Sequence, residues 1–155
     1  MNTIRVALFG HRDLTDYKIV ESRLSGVLRD LMREELFVDL YIGRNGEFDI
    51  YAASVIKRTL KALGTENCSL TLVLPYKDKN IEYYEEYYDC VIIPTCVEGV
   101  FPKGVITKRN KWLVEMCDLL ICYVERDGGG AYTAMKRAEK LGKKIVNIAN
   151  EVDIE

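Results

Sequence analysis

Asp118-Leu119-Leu120-Ile121-Cys122-Tyr123-Val124 runs directly into Glu125-Arg126-Asp127-Gly128-Gly129-Gly130-Ala131-Tyr132-Thr133. The first seven residues form a short apolar run behind one aspartate, the pattern of a strand buried on both faces. The glycines make a turn, and helical character follows from Ala131 to Leu141, with Gly142 placed as its stop. Lys144 to Ile148 then reads as a final strand. A doubly buried strand that leads through a glycine turn into a helix is the repeating unit of a parallel sheet with helices on its faces.

The same unit recurs toward the N-terminus. Ile4 to Phe9 is a strand ended by Gly10, and Asp16 to Glu35 is a helix with Leu24, Val27, Leu28, Leu31 and Met32 on one stripe. Asp13 or Thr15 is placed to cap it. Phe37 to Ile42 is a second strand, ended by Gly43. Glu47 to Leu63 is a second helix with Ile50, Ala53, Ile56, Leu60 and Leu63 on one side and Gly64 as its stop. Cys68 to Leu74 is a third strand, closed by Pro75. Between Lys77 and Asp89 the tyrosines fall at helical spacing among acids and predict a short helix. Val91 to Ile93 is extended, Glu98 to Gly104 is turn-rich, and Val105 to Met116 is helical, with Trp112 as a packing residue. The expectation is an α/β, Rossmann-like three-layer sandwich with a mostly parallel sheet. One domain covers residues 1–150, and the acidic tail 151–155 frays.

Composition narrows the function. At 155 residues and 48% hydrophobic, the chain suits one domain with a full core and leaves no room for a second substrate domain. A net charge of −2 provides no broad basic face for duplex DNA. The five cysteines are odd in number and lack CxxC spacing, so they predict reduced thiols, a cytoplasmic location and no disulfide framework. Cys90, Cys117 and Cys122 read as small buried hydrophobes. With His11 the only histidine, no zinc site is expected. No signal peptide or membrane span is expected, since no run approaches the roughly 20 apolar residues a span requires.

In open α/β sheets ligands bind beyond the carboxyl ends of the strands, so the residues after each strand carry the functional reading. Gly10-His11-Arg12 follows the first strand, and an arginine there suits forked contact with phosphate. Gly43-Arg44-Asn45-Gly46-Glu47-Phe48-Asp49 follows the second. Its glycines permit close backbone approach to a ligand, the helix start offers free amides, and Asp49 can accept from ribose hydroxyls or simply stabilise the helix dipole. Gly128, Gly129 and Gly130 form a phosphate cradle with the Thr133 hydroxyl added, or else a flexible loop. Arg109 and Asn110, in the helix before that strand, reach the same ligand or form a solvated helix start. Tyr76, after the third strand, is placed to lie against a base. The tyrosines around Tyr83 read as packed or subunit-facing surface. Arg12, Arg109 and the glycine loop are expected to converge on one phosphate-sized spot.

Taken in order, these turns resemble the SLOG superfamily, a Rossmann-like group that includes the LOG phosphoribohydrolases and the Smf/DprA DNA-processing proteins. The match looks closest to its YpsA-like branch. It rests on Gly10-His11-Arg12, on Gly43, Gly46 and Asp49 followed by Ala52 and Ala53, on Arg109-Asn110, and on the glycine loop leading to Thr133 and Ala138. It covers nearly the whole chain. Two departures stand out. Arg44 and Asn45 replace the small residues usual between the glycines of the second motif, which makes the pocket more cationic. The loop from Asp127 to Thr133 also lacks the proline and glutamate of LOG enzymes, which speaks against LOG-type hydrolysis.

The resemblance implies a phosphate-bearing nucleotide or an NAD- or ADP-ribose-derived ligand at the sheet's carboxyl edge, with a sensor or binding module as the first reading. No cofactor is assigned beyond that ligand. One alternative is an N-glycosidic-bond enzyme, a phosphoribohydrolase or a deoxyribosyltransferase-like protein. Glu47 or Asp49 would be its carboxylate and His11 its proton carrier. The other is single-stranded DNA binding of the Smf/DprA kind, through Lys103, Lys108, Arg109 and Lys111 or through Lys136, Arg137, Lys140, Lys143 and Lys144. A homo-oligomer is expected from the superfamily and the tyrosine-rich segment.

Overall fold

A computed structural model describes residues 2–34 and 36–150. Six strands form one sheet in the order β4-β3-β2-β1-β5-β6, and every neighbouring pair is parallel. The strands are β1 (Asn2–Gly10), β2 (Leu36–Ile42), β3 (Cys68–Val73), β4 (Cys90–Ile92), β5 (Leu119–Tyr123) and β6 (Lys144–Asn147). The helices are α1 (Tyr17–Met32), α2 (Glu47–Leu63), α3 (Ile81–Tyr87), α4 (Val105–Met116) and α5 (Gly129–Lys140). The predicted α/β sandwich is therefore present, and its sheet is wholly parallel.

Alternation along the strands divides the core into two layers. Val6 and Leu8 of β1, with Leu119, Ile121 and Tyr123 of β5, pack beneath α1 and α2. Ala7 and Phe9, with Leu120 and Cys122, pack beneath α4 and α5, where Leu113, Val114, Ala131, Ala134 and Ala138 close the layer. Trp112 packs against this second layer as expected. The small alanine face of α5 lets that helix lie close to the sheet, which brings its first turn near the ends of β1 and β5.

Several local expectations are corrected. Asp16, rather than Asp13 or Thr15, caps α1: its Oδ1 accepts from the Ile19 amide at 3.1 Å. α1 ends at Met32, and Glu35 lies outside the described residues, as does the 151–155 tail. On α2, Ile50 and Leu63 are exposed, and the buried face is Phe48, Ala52, Ala53, Val55, Ile56 and Thr59. Phe48 sets this rotation, because its ring is held beneath Gly10. Cys117 and Cys122 are buried, but Cys90 starts the edge strand β4 and is exposed. α5 begins at Gly129, so two of the three loop glycines belong to the helix. No described helix is long and apolar enough to cross a membrane.

Candidate functional site at the sheet's switch point

Strand order reverses at β1, which lies between β2 and β5. Connections on its two sides leave in opposite directions, and the crevice this opens is where ligands of open α/β sheets sit. A cavity of about 580 Å3 occupies that place. Its walls are Gly10, His11 and Arg12 after β1, Asn45, Gly46 and Asp49 after β2, Ile106, Thr107, Arg109 and Asn110 on α4, and Arg126 to Ala131 after β5. The structure thus brings Arg12, Arg109 and the glycine loop to one cavity.

Arg109 organises the floor. It is 3% exposed, and its Nη1 donates to the Val73 carbonyl at 3.1 Å. Nε and Nη2 donate to Asn110 Oδ1 at 3.1 and 2.8 Å. Burial pushes its pKa down, and the Asp49 carboxylate and Tyr76 act against that push. A guanidinium remains charged under such a shift, so the cavity keeps a fixed cation.

Asp49 faces that cation. Its Oδ2 accepts from the Asn45 amide at 3.0 Å. Burial drives the carboxyl up to about 6, although the Asn45 amide and the guanidiniums of Arg109, Arg12 and Arg44 favour the charged form. Asn45 also carries a buried Oδ1 with no partner. Buried acceptors are normally satisfied, so an unmatched one in a cavity wall is a point of attachment for a donor.

His11 is 4% exposed, and its Nε2 accepts from the Glu125 amide at 3.0 Å. That bond requires the neutral ring with its proton on Nδ1. Burial, then Arg126, holds its pKa below the ordinary value, against Glu125. His11 therefore ties the β1 turn to the β5 turn. Glu47 does not line the cavity. Its Oε2 accepts from the Leu14 amide at 3.0 Å and from the Tyr17 hydroxyl at 2.9 Å, and these bonds hold its carboxyl below the usual range.

The glycines of the first two turns make room for the protein's own side chains, and Gly10 and Gly46 also line the cavity. A Cβ on Gly10 would sit 2.0 Å from the Phe48 ring. One on Gly43 would sit 2.8 Å from Arg109 Nη1, and one on Gly46 would sit 2.6 Å from Arg12 Cα. Gly46 is extended, at φ −169°, so space rather than backbone freedom requires glycine there. The third turn differs. Gly128 and Gly129 have φ of +91° and +83° and open space around them. Gly128 caps α5 without a side-chain bond, and the first turn of α5 has no acid. The first amides of α5 consequently lack intrahelical partners and carry the positive end of the helix dipole.

Like Glu47, the sequence-predicted residues Gly43, Arg44 and Thr133 do not line the cavity. Arg44 lies over the Tyr84 ring at 5.0 Å and donates to the Tyr88 hydroxyl at 3.0 Å, so it binds α3 to the β2 turn. Thr133 donates its hydroxyl to the Gly129 carbonyl at 3.0 Å and lines a groove between α4 and α5 beside the cavity.

No family model and no curated protein matches the sequence. Among solved structures, DNA processing protein A from Streptococcus pneumoniae superposes with a TM-score of 0.66 at 17% identity, over 92% of this chain and 49% of that one. DNA processing protein A from Helicobacter pylori, in a structure of its single-stranded DNA binding mode, gives 0.60 at 17% identity, over 92% of this chain and 63% of that one. The chain shares the fold of DNA processing protein A. It spans about half of the first of those proteins and less than two thirds of the second. The likeness is one of architecture, and the chemistry of the site rests on the residues above.

Within the DNA processing protein A fold, six wall residues lie outside the site read from the sequence: Phe9, Ile106, Thr107, Arg126, Asp127 and Ala131. Arg126 had a readable signal. Gly10 pairs with Tyr123 in the sheet, so Arg12 and Arg126 follow neighbouring strand ends by similar distances. Ile106 precedes Arg109 by about one turn of α4 and Thr107 stands in the same relation to Asn110, so each of these pairs shares a face.

Proposed function

We propose that this chain binds a phosphate-bearing nucleotide or nucleotide-derived ligand in the switch-point cavity, as a sensor or binding module. One observation carries the reading: the uncapped N-terminus of α5, formed by Gly128, Gly129 and Gly130, opens into the same cavity as Arg12 and Arg109. Free helix amides and arginine forks are the two commonest recognisers of phosphate. The unmatched Asn45 Oδ1 and the Asn110 amide supply further polar contacts of the kind that orient a sugar or base.

The ordered turns support placing the chain in the SLOG superfamily near its YpsA-like branch, and we carry the cytoplasm and a homo-oligomer with that placement. Binding without turnover accounts best for the titrating groups. His11 spends its acceptor nitrogen on the Glu125 amide, and Glu47 braces the loop before α1. Asp49 and Asp127 are the carboxylates that line the cavity, and the N-glycosidic alternative rests on Asp49, which faces the Arg109 cation.

Thermal shift against AMP, ADP, NAD and ADP-ribose, with mass spectrometry of molecules released on denaturation, tests the reading. A ligand at 100 times its Kd stabilises the native state by about 2.7 kcal/mol. A hit recovered intact supports a binder, and base plus sugar phosphate supports the enzyme. A second reading, single-stranded DNA, is favoured by the Helicobacter pylori neighbour. It predicts salt-dependent binding of an oligonucleotide in the absence of mononucleotide binding.

A further inference from the structure

A second, apolar groove of about 560 Å3 lies along the same sheet edge, at the ends of β3 and β4. Pro75 and Tyr76 form its β3 side, Ile93 its β4 side, and Val100 and Val105 its outer wall. Ile106 belongs to both this groove and the phosphate cavity, so one side chain separates them. Tyr76 is 54% exposed. The end of β3 stands two strand spacings from the end of β1 and three from the end of β5, which leads into α5, about 10 and about 14 Å.

Resting on the nucleotide reading above, we propose that this groove is the base subsite of the same ligand. The aromatic or heteroaromatic base lies against the Tyr76 ring while its phosphate occupies the first turn of α5. The two recesses divide the ligand's chemistry between them. The cavity has arginines, free amides and the carboxylates of Asp49 and Asp127, whereas the groove is lined by apolar side chains and the exposed Tyr76 ring, with Glu98 its one charged residue. A nucleotide is polar at its phosphate and flat and π-rich at its base, with a sugar to span the Ile106 ridge. An aromatic face stacks on any base, so the groove selects for a base as a class.

The test compares AMP with ribose 5-phosphate by calorimetry on the intact chain and on Tyr76→Ala and Tyr76→Phe. Tyr76 is exposed, so its replacement leaves the core intact. AMP is expected to bind at least about fivefold more tightly than ribose 5-phosphate, the low end of one base-aromatic stack. Tyr76→Ala should remove that advantage and leave ribose 5-phosphate affinity unchanged, and Tyr76→Phe should retain it. Equal affinities of the intact chain for the two probes overturn the base subsite while leaving the phosphate cavity standing. Tyr76-dependent binding of oligo(dT) without AMP binding overturns it in favour of a single strand. Failure of both small probes overturns the cavity reading itself, and the subsite with it.

Discussion

Gly43 and Arg109, 66 positions apart in sequence, fit against each other so closely that a Cβ on Gly43 would stand 2.8 Å from Arg109 Nη1. The glycine after β2 therefore fixes where the buried cation of the cavity can lie. Gly43→Ala should push the guanidinium off the Val73 carbonyl. We expect a loss of about 1–3 kcal/mol in denaturant stability, typical of overpacking a buried site, together with weaker anion binding. Chemical denaturation and sulfate titration of the same variant would show the two effects together.

Asp49 gives the cavity a pH dependence. Its pKa is raised to about 6 in the folded chain from an ordinary 3.8. A carboxyl with a raised pKa binds its proton more tightly in the native state, so its contribution is fully present below the unfolded value and is lost as pH rises through 6. Asp49→Asn should consequently match the parent near pH 4 and exceed it at pH 7.5 by about 1–2 kcal/mol, allowing for solvent in the open cavity. Sulfate does not titrate in this range. Its affinity for the parent should rise as pH falls from 7.5 to 5.5, and Asp49→Asn should remove that slope.

His11 works in the opposite direction. Its pKa is lowered below 6.5, so its contribution is present above that value and fades as pH falls through the lowered one. Losing the Nε2 acceptor leaves the Glu125 amide unmatched. His11→Ala should cost about 1–3 kcal/mol, and His11→Gln, whose carbonyl reaches a similar place, should recover part of it. Thermal unfolding of both variants at pH 7.5 checks the order.

Gly129 combines a φ of +83° with the first position of α5. Gly129→Ala meets no neighbouring atom but must adopt a backbone unfavourable for an L-residue, at about 1–2 kcal/mol. The turn would relax, and the α5 amides would turn away from the cavity. Anion affinity should fall further than in Gly64→Ala, which carries a similar φ of +65° at the far end of α2. Comparing the two variants separates strain from loss of the site.

Much of this architecture was legible in the sequence because it depends on local patterns. Buried runs such as Leu119 to Tyr123 and glycines at strand ends announce a parallel sheet, and the ends of parallel strands announce where a ligand can sit. The α2 stripe was misread through Ile50 and Leu63 because two faces of that helix carry apolar residues at helical spacing. Only Phe48, seated under Gly10, decides between them. The purpose of Gly43 and Gly46 was likewise hidden. Their turn chemistry suggests ligand approach, whereas the atoms that exclude a Cβ come from Arg109 and Arg12, remote in sequence. Thr133 looked like a phosphate ligand from its distance to the glycines, but a helix turn lets its hydroxyl bond back to the Gly129 carbonyl.

The most direct test of the central claim is an amide NMR titration of the intact chain with AMP, read at the glycines. The account predicts that the largest shifts fall on Gly129, Gly130 and Ala131, with smaller ones at Gly10 and Gly46 across the cavity. Saturating AMP that leaves the α5 amides unmoved, or that moves only amides elsewhere on the chain, would contradict it.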